Sequence, residues 1–325
     1  MLRSDRANAI CILEILREYS DAEHILPMRT ILHKMKSLYG TDIDRRTVYS
    51  AISLLKDNLG YEISTYEENK QGYYLQERIL EVSEVRLLMD AVYACDGIPR
   101  RQSELLIEKL QKLLSFHQRK QYLNLRIIRR ERRTPNKSVF FNIDLLDEAI
   151  SSKVQVEFTY LKYNLEKKLV PKRSVRYLVN PYALVFANGN YYLICNYDAY
   201  DNISYYRVDK ICDVRILERQ PVKPLAADFD LTKFTQKHIY MFSPYSESVK
   251  IRCHNVILDD VIEKFGNEIL LLPDGEEYFT VVLRNTPGGI QFWLLQYLQY
   301  CEVLEPLYLR EEIIEFISKN KYSVR

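Results

Sequence analysis

Residues 44–55 read DRRTVYSAISLL. Val48, Ala51, Ile52 and Leu55 recur at the i, i+3, i+4, i+7 spacing of one helical face, and Asp44 precedes them as an N-cap. The opposite arc carries Arg46, Ser50 and Ser53, flanked by Thr47 and Tyr49. A helix that reads a DNA major groove needs such a pattern: one buried stripe, and short donors with a guanidinium near its N-terminus. Arg46 suits a bidentate bond to a guanine edge or a phosphate, and Arg45, Thr47 and Tyr49 suit backbone contacts that set register.

Working outward, a helix is predicted over 6–19, with Ala9, Ile12, Leu13 and Leu16 on one face. A second opens at Pro27, carries Met28, Ile31, Leu32, Met35 and Leu38, and ends at Gly40. After Leu59-Gly60, YEISTY and YYL read as strands around the polar turn EENKQG, whose Asn69, Lys70 and Gln71 form the tip. The order predicts a winged helix-turn-helix over 1–78 that binds double-stranded operator DNA. Its contacts are expected from Arg45, Arg46, Thr47, Tyr49, Ser50, Lys70 and Gln71. A charged helix face alone is usually only solvated; here the full order of helix, turn, helix, cap and wing carries the reading.

Residues 79–141 read as a helical connector or dimerisation element ending in a basic linker. Val85, Leu88, Met89 and Val92 form one stripe, Leu105, Leu106, Leu110, Leu113 and Leu114 another, and Gly97-Ile98-Pro99 separates them. Between 119 and 137 there are eight Lys/Arg and one acid, Glu131. The whole chain has a net charge of only +2, so any nucleic-acid partner must meet segregated basic groups.

From 142 the period changes. A short helix over 144–152 precedes Val154, Val156, Phe158 and Tyr160, which alternate as in a half-buried strand. SVRYLVN, YALVFA, NYYLICNY, ISYYRV and ICDVRIL follow as short runs, with the hairpin pair Asn188-Gly189 between two of them. These predict a small SH3/Sm-like β-barrel over 142–220. Over 221–325 the order β-α-β-β-α-β, closed by a helix over 310–319, predicts a ferredoxin-like domain. The fold class is multidomain α+β.

The segment RRTVYSAISLL resembles the recognition helix of winged regulators in the DeoR-like group. Residues 142–220 resemble the WYL domain, with Tyr191, Tyr192 and Leu193 at the Trp-Tyr-Leu motif and Arg207, Asp209 and Lys210 on the strand that follows. Residues from 248 on are similar to the C-terminal extension of WYL proteins. The chain departs from the pattern in three places: Tyr191 replaces the motif tryptophan, Ser50 and Ala51 replace a frequent Arg-Asp pair, and Asp44 replaces a frequent serine. The resemblance implies a transcription regulator, commonly dimeric, whose barrel binds an effector that adjusts DNA binding. In some relatives the effector is a single-stranded nucleic acid.

Strand alternation puts Tyr192 on the face opposite Tyr191 and Leu193. Tyr192, Arg207 and Lys210, with Arg173 or Arg176 reaching in, are the expected effector site. Arginines beside aromatics suit a small anionic ligand or single-stranded nucleic acid. The plainer alternative is that Asp209 or Glu157 neutralises these arginines locally. A second functional reading is a nucleic-acid-binding accessory protein that acts on single-stranded DNA or RNA through the barrel.

No catalytic constellation, cofactor motif or metal site is expected. Gly288-Gly289 lacks the lysine and hydroxyl of a phosphate loop, and Asp259-Asp260 and Glu311-Glu312 are neighbours that point apart on helices. The six cysteines are scattered, as is usual for reduced, structural thiols. No apolar run is long enough to span a bilayer, and the first residues carry charges where a signal peptide is apolar. The expected setting is the cytoplasm.

Overall fold

Three helices begin the chain: α1 (Asp5–Tyr19), α2 (Met28–Tyr39) and α3 (Arg45–Ser53). They belong to a computed structural model that describes residues 5–122, 133–197, 200, 202–225, 246–287, 290–319 and 321. Asp44 caps α3 by accepting the Thr47 backbone N–H at 2.8 Å. Gly40 takes the left-handed conformation (φ 64°) that stops α2. Val48, Ala51, Ile52 and Leu55 are buried against Ile12 and Leu16 of α1 and Ile31 and Met35 of α2. Leu38, expected on the inner face of α2, is half exposed.

The hairpin after α3 is shorter than the sequence reading. Its strands are β1 (Ile63–Ser64) and β2 (Tyr74–Leu75), and a helical turn, α4 (Tyr66–Asn69), lies between them. Thr65 and Glu68 form a reciprocal capping box, which pulls the polar turn into helix. Gly72 brings the returning chain against the loop after α1. Leu26 and Tyr73 exchange two backbone hydrogen bonds of 2.9 Å, and a Cβ at Gly72 would stand 2.2 Å from the Leu26 carbonyl oxygen.

Helices α5 (Val82–Ala94), α6 (Arg100–Gln111) and α7 (Phe116–Tyr122) follow. Val85, Met89, Ile107 and Leu114 form a small core of their own. Polar groups join this connector to the three-helix unit. Asp21 accepts from the Ser115 hydroxyl at 2.6 Å and lies 2.7 Å from His24 Nδ1. The imidazoles of His24 and His117 stack with centroids 3.6 Å apart. Arg78 donates to the carbonyl oxygens of Arg17, Ser20 and Leu113.

The basic run is not a free linker at its ends. Arg119 pairs with Glu18. Arg133 donates to the carbonyls of Tyr93 (2.9 Å) and Ile98 (3.1 Å) and to Ser103 Oγ, so its charge fastens the α5–α6 turn. The middle of the run, 123–132, lies outside the described residues.

Residues up to Lys137 form one unit and those from Ser138 a second. Helix α8 (Val139–Ser152) starts the second, reaching further back than expected. Its Leu146 and Ala149 pack into the core of a curled antiparallel half-barrel. The strands are β3 (Val154–Tyr163), β4 (Leu169–Pro171), β5 (Tyr177–Ala187), β6 (Asn190–Tyr197), β7 (Ile203–Arg207) and β8 (Ile211–Pro221), in the order β4-β3-β5-β6-β7. A 3-10 turn, Val208–Lys210, sends the chain from β7 into β8, which returns to pair with β3. SVRYLVN and YALVFA, expected as separate runs, fuse into β5 across a bulge between Pro181 and Ala183. Asn188 and Gly189 both have positive φ, as the two-residue hairpin requires. A buried amide chain crosses the sheet: Gln155 Nε2 donates to Asn180 Oδ1 (2.9 Å), and Asn180 Nδ2 to Asn196 Oδ1 (2.8 Å).

The last segment is the expected βαββαβ fold. Strands β9 (Ser246–His254), β10 (Leu270–Asp274), β11 (Tyr278–Pro287) and β12 (Cys301–Glu305) form an antiparallel sheet in the order β10-β11-β9-β12. Helices α9 (Leu258–Phe265) and α10 (Ile290–Gln296) are the crossovers, and α11 (Leu307–Ser318) follows β12. Among the described residues, no helix is long and apolar enough to cross a membrane.

Two outcomes follow for the first unit. Gly72→Ala must push the hairpin off the Leu26 carbonyl; urea unfolding should show a loss of about 1–3 kcal/mol. His117 is held below its ordinary pKa by burial first, then by His24, Lys120 and Lys34, against the pull of Asp21. The fold therefore favours the neutral ring. That stability is present above the unfolded imidazole pKa of about 6.5 and is lost as pH falls through the lowered folded value. His117→Gln should flatten the fall in melting temperature between about pH 7 and about pH 5.

Candidate functional site

On α3 the exposed arc is Arg45, Arg46, Tyr49, Ser50 and Ser53. Arg45 and Arg46 are exposed and neither is in a salt bridge among the described residues, although the Arg46 charge is near enough to Asp44 to help lower its carboxyl. Thr47 is different. Its hydroxyl donates to Asp44 Oδ1 at 2.8 Å, so its proton serves the cap. The Thr47 N–H and hydroxyl hold the Asp44 carboxyl below the usual carboxylate range. Tyr49 meets the hydroxyl of buried Tyr73, whose pKa is pushed up to about 12 by burial first and by Tyr49 after it. Tyr49 thus helps seat the hairpin on α3. Lys70 ends α4 in a left-handed conformation, and its ammonium donates to the Glu67 carbonyl at 2.7 Å. Gln71 is exposed beside it.

In the half-barrel the register places Tyr192 opposite Arg207 and Leu193 opposite Tyr206. Opposed residues share a face and successive residues alternate. Leu193 and Tyr206 therefore face the core, and Tyr192 and Arg207 the other side. On the core side the rings of Phe158, Tyr160, Tyr177 and Tyr206 interlock, with centroids 5.0–5.9 Å apart. Tyr191 lies against Phe186 at 4.9 Å, so the position of the motif tryptophan does aromatic packing here.

Arg207 is held from two directions. Its Nε and one terminal nitrogen each lie 2.9 Å from an Asp209 carboxylate oxygen, and that terminal nitrogen also donates to Asn190 Oδ1 at 2.7 Å. Asp209 is buried, so this pair satisfies a carboxylate cut off from water. Burial, then repulsion from Arg207 and Lys172, lowers the Lys210 pKa against the pull of Asp209. Lys210 thus lies near both Arg207 and Lys172, and Arg207 lies beside Tyr192. Burial raises Tyr192, so its phenol keeps its proton at neutral pH and offers a donor and a ring face.

The other two expected residues go elsewhere. Arg173 lies over Tyr177 (3.8 Å from its centroid) and donates to the Tyr197 hydroxyl at 3.3 Å, on the core side. Arg176 Nε stands 2.9 Å from Glu157 Oε1, and the same guanidinium donates to the Asp213 carbonyl; it braces β3 against β8. The structure thus joins Tyr192, Arg207 and Lys210 and leaves Arg173 and Arg176 outside their cluster. Asn190 is the member the sequence reading missed, although a hairpin residue two positions before Tyr192 shares its face.

Comparison with known proteins identifies two domains. Residues 142–216 match the WYL domain and residues 245–319 the WCX domain. The chain carries a WYL domain followed by a WCX domain. Two solved structures are distant likenesses. Proteasome accessory factor B/C (PafBC) of Arthrobacter aurescens has 15% identity and a TM-score of 0.30 over 97% of this chain. This chain spans 48% of that protein, about half its length. A CRISPR Cas-related protein has 13% identity and a TM-score of 0.36, over 93% of this chain and 96% of its own. No curated protein matches. In this WYL–WCX chain the half-barrel core and the Tyr192–Arg207 cluster both lie within the WYL match. Among the described residues, no group of three or more His, Cys, Asp or Glu could hold a metal ion.

Because Arg207 neutralises a buried acid, Arg207→Ala should destabilise the WYL domain by about 1–3 kcal/mol in chemical unfolding. Adding Asp209→Asn should recover part of that loss, since the stranded charge disappears. Lys210→Gln should leave the unfolding midpoint nearly unchanged.

Proposed function

We propose that this WYL–WCX protein is a transcription regulator that binds operator DNA through its N-terminal unit and an anionic effector through its WYL domain. The observation that carries the DNA half is the pair of exposed arginines, Arg45 and Arg46, at the N-terminal end of a helix whose opposite face is buried. That placement suits a helix entering a major groove end-on. Ser50 adds a hydroxyl one turn on, and Gln71 with the Lys70 tip would meet an adjacent phosphate. Thr47 and Tyr49 support this surface through the cap and the hairpin.

The effector half rests on Arg207 beside Tyr192 and on Lys210 near Arg207 and Lys172. A phosphate or a nucleotide backbone would relieve the repulsion among Lys172, Arg207 and Lys210 while a base stacked on Tyr192. Single-stranded nucleic acid fits both features, and so does a small anionic ligand with an aromatic group. The effector must bind the DNA-competent and incompetent states with different affinity, or it shifts nothing. A homodimer would present two winged helices to a two-fold operator. The setting is cytosolic, and no catalytic step is assigned.

Fluorescence anisotropy on the duplex upstream of its own gene, against a scrambled duplex at two salt concentrations, tests the first half. Arg46→Ala should weaken specific binding about tenfold or more, while Arg45→Ala should weaken both duplexes and lower the salt slope by about one. Equal binding to both duplexes, fading with salt, would sink the regulator reading. Lys210→Gln and Tyr192→Ala should weaken binding of short single-stranded DNA without moving the duplex affinity of the effector-free protein. Unchanged single-strand binding in both variants would remove the effector site from Tyr192.

A further inference from the structure

The WCX sheet places two cysteines face to face. In the register of β12 on β9, Cys301 is directly opposite Cys253. The neighbouring pair is hydrogen-bonded: the His254 N–H donates to the Tyr300 carbonyl oxygen at 2.8 Å. Hydrogen-bonded and non-hydrogen-bonded pairs alternate along an antiparallel ladder, so Cys253 and Cys301 form a non-hydrogen-bonded pair. Opposed α-carbons of such a pair stand about 4.5 Å apart with their side chains on one face. A disulfide closes between α-carbons roughly 4.4–6.8 Å apart, so the ladder already has the needed spacing.

The two thiols differ in access. Cys253 is fully buried in the sheet core. Cys301 is partly exposed and lines an apolar cleft of about 280 Å³ with Leu294, Leu298, Ile313, Ile314 and Ile317. Burial raises both thiols, so both are protonated at rest, and Cys301 is the one open to the cleft. Cys212, also partly exposed, stands opposite Thr159.

We propose that Cys301 and Cys253 are a redox-active dithiol, closed to a cross-strand disulfide by a hydroperoxide that enters the apolar cleft. The Cys301 sulfur attacks the terminal oxygen of the hydroperoxide as its thiol proton passes to the departing oxygen. The O–O bond breaks, an alcohol leaves with the thiol proton, and Cys301 becomes a sulfenic acid. The Cys253 sulfur then attacks Cys301; the S–S bond forms, the S–O bond breaks, and water leaves with the second thiol proton. Two thiols and one hydroperoxide yield one disulfide, one alcohol and one water. The bond would lock the edge strand β12, and the start of α11 behind it, onto β9.

The test is peptide mapping of the native full-length protein after treatment with cumene hydroperoxide or hydrogen peroxide. The expected product has lost two of its six thiols, is lighter by two hydrogens, and yields one linked peptide joining residues 253 and 301 that dithiothreitol separates. Closure should be several-fold faster with cumene hydroperoxide, because the cleft is apolar. Cys253→Ser should accumulate a sulfenic acid at Cys301 that dimedone traps, and Cys301→Ser should give no dimedone adduct at Cys253. A disulfide between other cysteines, or Cys301 driven to sulfinic acid with Cys253 still a free thiol, would overturn the proposal. Equal rates with the two peroxides would overturn the route through the cleft. The wild-type mapping stands alone should either variant fail to fold.

Discussion

Strand β3 is hydrogen-bonded to β5 and to β8, and near its end to β4. One strand serving three partners must bend, and the register shifts at Val154/Gln155 and Glu157/Thr159 are where it does so. That bend makes the sheet a half-barrel, gathers Phe158 and Tyr160 against Tyr177 and Tyr206, and leaves the outer face of β6 and β7 to carry Tyr192 and Arg207. It also explains Arg176 and Glu157. Their ion pair spans the strands around the bend, so they serve the scaffold beneath the charged cluster.

Charge in this chain is handled by enclosure. Asp21, Asp209 and Glu157 each meet defined donors, and Arg78, Arg133 and Arg207 each serve several acceptors. Arg45 and Arg46 on α3 are instead exposed and in no salt bridge among the described residues. A net charge of +2 therefore conceals a division between cations spent on structure and cations free for a partner.

The helices and the βαββαβ segment were legible because apolar periodicity and cap residues act over a few positions. Val48, Ala51, Ile52 and Leu55 report their own burial, and Asn188-Gly189 its own turn. What escaped the reading involved long-range partners or competition between local signals. Thr65 and Glu68 made a capping box inside what alternation presented as a hairpin tip. Arg119 and Arg133 looked like linker charges because Glu18 and the Ile98 carbonyl are far off in sequence. Arg207 could not be assigned to a face without the β6–β7 register, nor Arg173 without its place over the Tyr177 ring. Cys253 and Cys301 read as isolated buried thiols because only sheet pairing brings them together.

The amide chain through Gln155, Asn180 and Asn196 has a consequence for how the WYL sequence can vary. Each amide is buried, and Asn180 Oδ1 also receives the Lys223 backbone N–H at 2.9 Å as the chain leaves β8. Replacing one member by an apolar residue strands its neighbours, at about 1–3 kcal/mol per orphaned group. Replacing all together removes the need. The three positions are therefore bound to drift as a set, like teeth of one key cut to a single register, and a one-residue slip of β5 would turn Asn180 out of the lock.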